Sequence, residues 1–126
     1  MSYSDTVRQL LKLQEAFNVP EVIKLFDKDA TYQSGNSSVA AGVEQIRRVL
    51  ASGHPDTVTT MKFDVKDMIE LGDGVLVSEM EVTYGMKDGR KIVLPCTDLF
   101  RFNNRGLVQD LKVYIDPGPL FQPPAT

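Results

Sequence analysis

The sequence predicts an α+β domain in which N-terminal helices cover a strongly curved, mostly antiparallel sheet. Three observations lead there. Apolar residues recur at helical spacing up to about Ala51, then at alternate positions from Val58 onward. Turn signals at Gly72-Asp73-Gly74, Lys87-Asp88-Gly89 and Asn103-Asn104-Arg105-Gly106 join the alternating segments as hairpins. Helices kept apart from hairpin-linked strands mean α+β rather than alternating βαβ units.

The first element runs from Ser4 to about Phe17, with Val7, Leu10, Leu11 and Phe17 on one stripe and Ser4 or Asp5 as the cap. Asn18 breaks this pattern. Pro20 suits the first turn of a second helix, Glu21 to Phe26, with Val22, Leu25 and Phe26 facing inward. Ala30 to Gln33 reads as a short strand, followed by a Ser/Gly/Asn loop to Ser38. A third helix, Gly42 to Ala51, carries Val43, Ile46, Val49 and Leu50 on one side and Glu44, Arg47 and Arg48 on the other. Gly53 ends it.

Four long strands then form a meander. In the first, Met61, Phe63 and Val65 alternate with Lys62 and Asp64; in the second, Ser78, Met80, Val82 and Tyr84 alternate with Glu79 and Glu81. The third spans Arg90 to Phe102 and the fourth Leu107 to Asp116. Proline has no N–H to donate, so the tail from Pro117 leaves the ladder. Strands of this length twist and curl, and helices laid on the concave side create an interior.

A chain of 126 residues fits one domain, 1–126, and buries roughly two-thirds of its unfolded surface without a disulfide or metal. A formal charge of −3 argues against nucleic acid, which needs a basic face. No run approaches the roughly 18 apolar residues of a membrane span. The start, MSYSDTVRQL, lacks the basic-then-apolar order of a secretion signal, so cytoplasm is the expected compartment. The single cysteine, Cys96, has no internal disulfide partner.

The third long strand holds the chemical anomaly. Alternation puts Asp98 on the same face as Leu94, Cys96, Phe100 and Phe102. A carboxyl among apolar side chains loses hydration, its pKa rises, and in the neutral form it donates a hydrogen bond to a carbonyl or enolate oxygen. The competing reading bonds Asp98 to a backbone group or to Arg101, with no catalytic role. Tyr32, on the short strand just before the loop, and Tyr84, with inward parity on its strand, offer hydroxyl donors or serve as structural aromatics. Asp110 and Lys112 fall on the outer face. His54, the only histidine, reads as a solvated loop residue, which leaves no histidine metal cage. Cys96 reads as a small hydrophobe without a histidine to activate it.

The stretch Ile92 to Asn103 resembles the equivalent strand of bacterial ketosteroid isomerases, as Leu25 to Thr31 and Gly42 to Arg47 resemble that family's helix-to-strand junction and third helix. Val113-Tyr114-Ile115-Asp116-Pro117 is similar to the closing strand of SnoaL-like polyketide cyclases. Together these fragments identify the chain as a member of the nuclear-transport-factor-2-like (NTF2-like) superfamily, whose fold is an α+β cone around a deep pocket. The resemblance makes Asp98 the acid that bonds the substrate oxygen. It puts Ser34 where the isomerases carry their general base, and their oxyanion tyrosine near Leu13 or Leu10. A hydroxyl cannot abstract a carbon-bound proton without a base of its own. Steroid isomerisation by that mechanism is therefore disfavoured.

The expectation is a small-molecule pocket protein. A cofactor-free isomerase, cyclase or dehydratase would act on an apolar carbonyl compound through Asp98, assisted by Tyr32 or Tyr84. The helical segments contribute Phe17, Phe26 and Val49 to the wall, and the short strand contributes Ser34 beside Tyr32. The first two long strands add Met61, Phe63, Met80 and Val82; the last two add Leu94, Cys96, Phe100, Leu111 and Val113. The alternative is a non-catalytic ligand-binding or protein-interaction module. The resemblance also implies a homodimer formed through the outer sheet face, where Glu79, Glu81, Arg101 and Tyr114 fall.

Overall fold

The computed structural model describes residues 2–123. Helix α1, Tyr3–Glu15, begins slightly earlier than its apolar stripe suggests because Ser2 caps it. The Ser2 hydroxyl accepts from the Asp5 amide and the Asp5 carboxylate accepts from the Ser2 amide, satisfying two orphan donors reciprocally. Thr6, Val7, Leu10 and Leu11 form its buried face. The helix stops at Glu15, and Phe17 adopts a φ of 55°, a left-handed conformation uncommon outside glycine.

The second helix is shorter than expected. Helix α2 is Val19–Val22, with Pro20 in its first turn; the chain then tightens into a 3₁₀ turn, Ile23–Leu25. Phe26 is already extended and opens β1, Phe26–Ser34, longer than the predicted Ala30–Gln33. Asp27 and Asp29 hid the start of that strand, since a charged run carries no strand signal. A two-residue strand, β2 (Ala40–Ala41), pairs with Thr31 and Tyr32. Gly42, at a φ of 84°, turns the chain into α3, Val43–Ser52.

The four predicted long strands are all present: β3 Val58–Gly72, β4 Val75–Met86, β5 Lys91–Phe102 and β6 Val108–Ile115. They form an antiparallel meander, and β1 joins it beside β6 in parallel, giving the order β2-β1-β6-β5-β4-β3. Helices on one side of a mostly antiparallel, unclosed sheet make the α+β architecture predicted from the sequence. Register shifts in β3, between Val65 and Asp67 and between Glu70 and Gly72, bend and twist that strand.

Along β5 burial alternates cleanly. Leu94, Cys96, Asp98, Phe100 and Phe102 are buried, whereas Val93, Pro95 and Arg101 are exposed. Phe100 lies opposite Leu76 and Leu111 and, with Val7, Leu10 and Val108, sits in a fully closed apolar core. That core takes up one part of the concave face. The remainder surrounds a cavity. Among the described residues no helix is long and apolar enough to cross a membrane.

Candidate functional site

The cavity has a volume of about 830 Å³. Five long strands supply its wall through residues of inward parity: Tyr32 and Ser34 on β1, Met61 and Phe63 on β3, Val82 and Tyr84 on β4, Cys96 and Asp98 on β5, and Val113 on β6. Phe17, beyond α1, and Val49, on α3, also line it. The exposed lining residues, among them Phe17, Ser37, Asp116 and Phe121, mark the mouth, and the buried ones mark the floor.

Asp98 belongs to the floor. It is 3% exposed, and its hydrogen bond is from the Cys96 thiol, Sγ to Oδ1 at 3.6 Å. Burial lifts its carboxyl from the ordinary 3.8 to about 7, with the thiol bond pulling weakly the other way. Arg101 lies exposed on the opposite face of β5, so the ion pair considered from sequence is not formed. Ser78 is directly opposite Asp98 on β4, fully buried, and its hydroxyl has no partner.

Two phenols and a thiol share this environment. Burial, and after it the Asp98 charge, pushes the Tyr32 hydroxyl well above its usual range. Burial, then Cys96 and Asp98, raises Tyr84 to about 12. Burial and then Asp98 likewise raise the Cys96 thiol, which stays protonated and unreactive. At neutral pH the floor is thus a set of neutral O–H and S–H groups around one acid poised between its two forms. That arrangement can hold a ligand oxygen as donor or a ligand N–H as acceptor.

Several expected wall residues are core instead. Phe26 starts β1, several residues from Tyr32, and Phe100 and Leu111 pair with each other beyond Asp98. Met80 and Leu94 flank Cys96 and Val82 across the β4–β5 register but are packed under neighbouring side chains. All five are buried without lining the cavity. Alternation fixes which side of a sheet a residue faces; it does not say whether that residue meets space or a packed neighbour.

His54 is a correction in the other direction. Expected as a solvated loop residue, it lines the cavity, its ring meeting Phe17 edge-on at 5.3 Å with Nδ1 buried and unpartnered. Only the folding of α3 against the mouth brings Gly53-His54-Pro55 there, and no periodicity marks it. The tail also contributes unexpectedly. A 3₁₀ turn, Gly118–Phe121, places buried Leu120 and exposed Phe121 on the cavity wall. Among the described residues no three His, Cys, Asp or Glu side chains group closely enough to hold a metal ion.

Residues 7–110 match the family described as SnoaL-like domain. Among solved structures, an NTF2-like protein of unknown function from Burkholderia pseudomallei superimposes with a TM-score of 0.77, at 18% identity over 94% of this chain and 95% of that one. An NTF2-like protein of unknown function from Cytophaga hutchinsonii gives 0.72 at 20% identity over 97% and 96%. A protein from Shewanella putrefaciens assigned as a SnoaL-like polyketide cyclase gives 0.76 at 12% identity over 92% and 91%. Similarity at these identities is one of fold. No curated protein matches the chain.

Proposed function

We propose a small-molecule site for this chain, which belongs to the SnoaL-like domain family. An apolar, carbonyl-containing ligand occupies the cavity and Asp98 acts on its oxygen. The observation that carries this reading is Asp98 itself: a buried carboxyl at the floor of a cavity, held near its midpoint at neutral pH by desolvation. A carboxyl kept there at a cost to stability is expected where it has chemistry to perform. Protonated, it donates to a carbonyl oxygen and stabilises the enol or enolate that forms on proton removal. Tyr32 or Tyr84 supplies a second donor. His54, at the mouth, is the candidate base, since Ser34 cannot fill that role unaided. The reaction class is isomerisation, cyclisation or dehydration without a cofactor.

A second reading, binding without turnover, draws support from one feature. The other carboxyl on the cavity wall, Asp116, lies exposed at the mouth and its Oδ1 accepts from the Gly118 amide. Among the described lining residues Asp98 therefore has no carboxylate base beside it. The same reading extends to a homodimer through the outer sheet face, where Val93 and Tyr114 are exposed.

A thermal-shift panel of steroids, aromatic polyketides, terpenoids and small epoxides tests the proposal. A ligand at a hundred times its dissociation constant adds ~2.7 kcal/mol, a rise of several degrees at this size. Saturable shifts are expected for one chemical class, with turnover of a member of that class lost in Asp98→Asn while binding persists. An Asp98→Asn variant as active as wild type would remove Asp98 from the chemistry. Silence across the panel would favour a protein-interaction role.

A further inference from the structure

The charges around the cavity narrow the ligand class beyond what the fold dictates. The chain has 14 Lys and Arg residues, yet none is among the described residues that line the cavity. Several are engaged elsewhere: Lys24 with Glu21, Arg47 with Glu44, Lys66 with Asp64, Arg105 with Asp27 and Lys112 with Asp110. The carboxyls facing the cavity are Asp98 at the floor and Asp116 at the mouth. A carboxylate or phosphate entering there would meet acids at both ends and no Lys or Arg, with His54 the one basic side chain among the described lining residues.

Asp98 also lacks what a buried carboxylate ordinarily has. It is 3% exposed, and among the described residues it receives one weak bond from a thiol, with no cation, backbone amide or amide side chain bonded to it. An ionised group in such surroundings calls for a counter-charge, and the protein brings none. The titratable neighbours facing it, Tyr32 on β1, Tyr84 on β4 and Cys96 on β5, are all held in their neutral forms and add no competing charge. Tyr32, Phe63 and Tyr84 lie along the same wall, and an aromatic ring attracts a cation that meets its face in a desolvated site.

We propose that the cavity takes a lipophilic primary or secondary amine, bound as its ammonium ion with the nitrogen on the Asp98 carboxylate and the apolar body along Met61 and Phe63. This rests on reading the cavity as a small-molecule site and adds a ligand class to it. The ammonium hydrogens are donors, and the lining oxygens of Asp98, Tyr32 and Tyr84 are acceptors. Burial raises the Asp98 carboxyl to about 7, so above neutral pH it is largely ionised and an incoming ammonium meets the carboxylate.

Three probes on one naphthalene skeleton decide the matter: 2-(aminomethyl)naphthalene, 2-acetonaphthone and 2-naphthoate, titrated calorimetrically above neutral pH into wild type and Asp98→Asn. The amine is expected to bind roughly tenfold or more tighter than the ketone, with the naphthoate weakest. Asp98→Asn is expected to erase the amine's advantage, and a cooperative thermal melt of the variant reports an intact fold. An amine no tighter than the ketone, or one that keeps its advantage in Asp98→Asn, overturns the inference. A ketone that binds where the amine does not overturns the amine alone and leaves the pocket reading standing. If none of the three binds, the amine inference falls, and the thermal-shift panel separately decides the small-molecule reading.

Discussion

Asp98 makes the protein less stable where it is ionised, and the direction of that effect can be worked out. Unfolded, the carboxyl ionises near 3.8; folded, burial delays ionisation to about 7. Below 3.8 both states hold the proton and Asp98 contributes no pH dependence. Between those values the unfolded chain releases the proton first, so its contribution to folded stability is lost as pH rises, and the loss is complete above 7. Asp98→Asn removes this slope. Urea unfolding is expected to show the variant on the order of a few kcal/mol more stable than wild type at pH 8, with that advantage shrinking toward zero near pH 4. An advantage that does not change with pH would mean the carboxyl is not held neutral by burial. Asp98 was legible in the sequence because strand alternation places a charge among apolar neighbours. His54 was not, because a loop residue has no period to break. Ser78 escaped notice for a third reason: a buried serine is unremarkable until its unpartnered hydroxyl is seen opposite an acid.

At the scale of elements, the long strands and α1 were legible because their periods run over many residues. The failures fall on short pieces. A two-residue strand such as β2 offers no period, and the 3₁₀ turn after α2 has the same apolar spacing as a helix continued. The start of β1 was concealed by Asp27, whose role is visible only in three dimensions. It is 4% exposed, accepts from the Asp29 amide and the Asn103 side chain, and forms an ion pair with Arg105. These bonds tie the entrance of β1 to the β5–β6 turn. Asp27→Ala is expected to cost about 1–3 kcal/mol in denaturant unfolding, by leaving the Asn103 amide and the Asp29 N–H to find new acceptors. Arg105→Ala is expected to cost less, since that side chain is 65% exposed and its charge is hydrated either way. Equal losses would place the stabilisation in the ion pair rather than in the amide bonds.

At the scale of the whole molecule, the sheet has one face on the core and cavity and one face outward. On that outer face Val93 on β5 and Tyr114 on β6 are about half exposed, amid the paired charges Lys66, Glu81, Asp110 and Lys112. Apolar centres within a polar surround suit self-association. Sedimentation is expected to find a dimer that Tyr114→Lys converts to monomer without loss of fold; a wild-type monomer at all concentrations would dismiss the outer-face contact. The apolar centre of this face was not separable from sequence alone, because outward residues on a strand look alike whether they meet water or a partner.

The parallel pairing of β1 with β6 has a temporal consequence. Strand β1 completes its ladder with β6, and the Thr31 hydroxyl bonds the Asp110 carboxylate across 79 positions of chain. Tyr32 and Ser34 are therefore set in place by residues of β6 that leave the ribosome long after them. The β3–β4–β5 meander can zip from local hairpins, but the wall carrying Tyr32 must wait for the last strand, with a large loop to close. During translation the acid on β5 exists before the chamber that buries it. The nascent Asp98 is hydrated and ordinary, and it becomes a perturbed group only when the final strand docks.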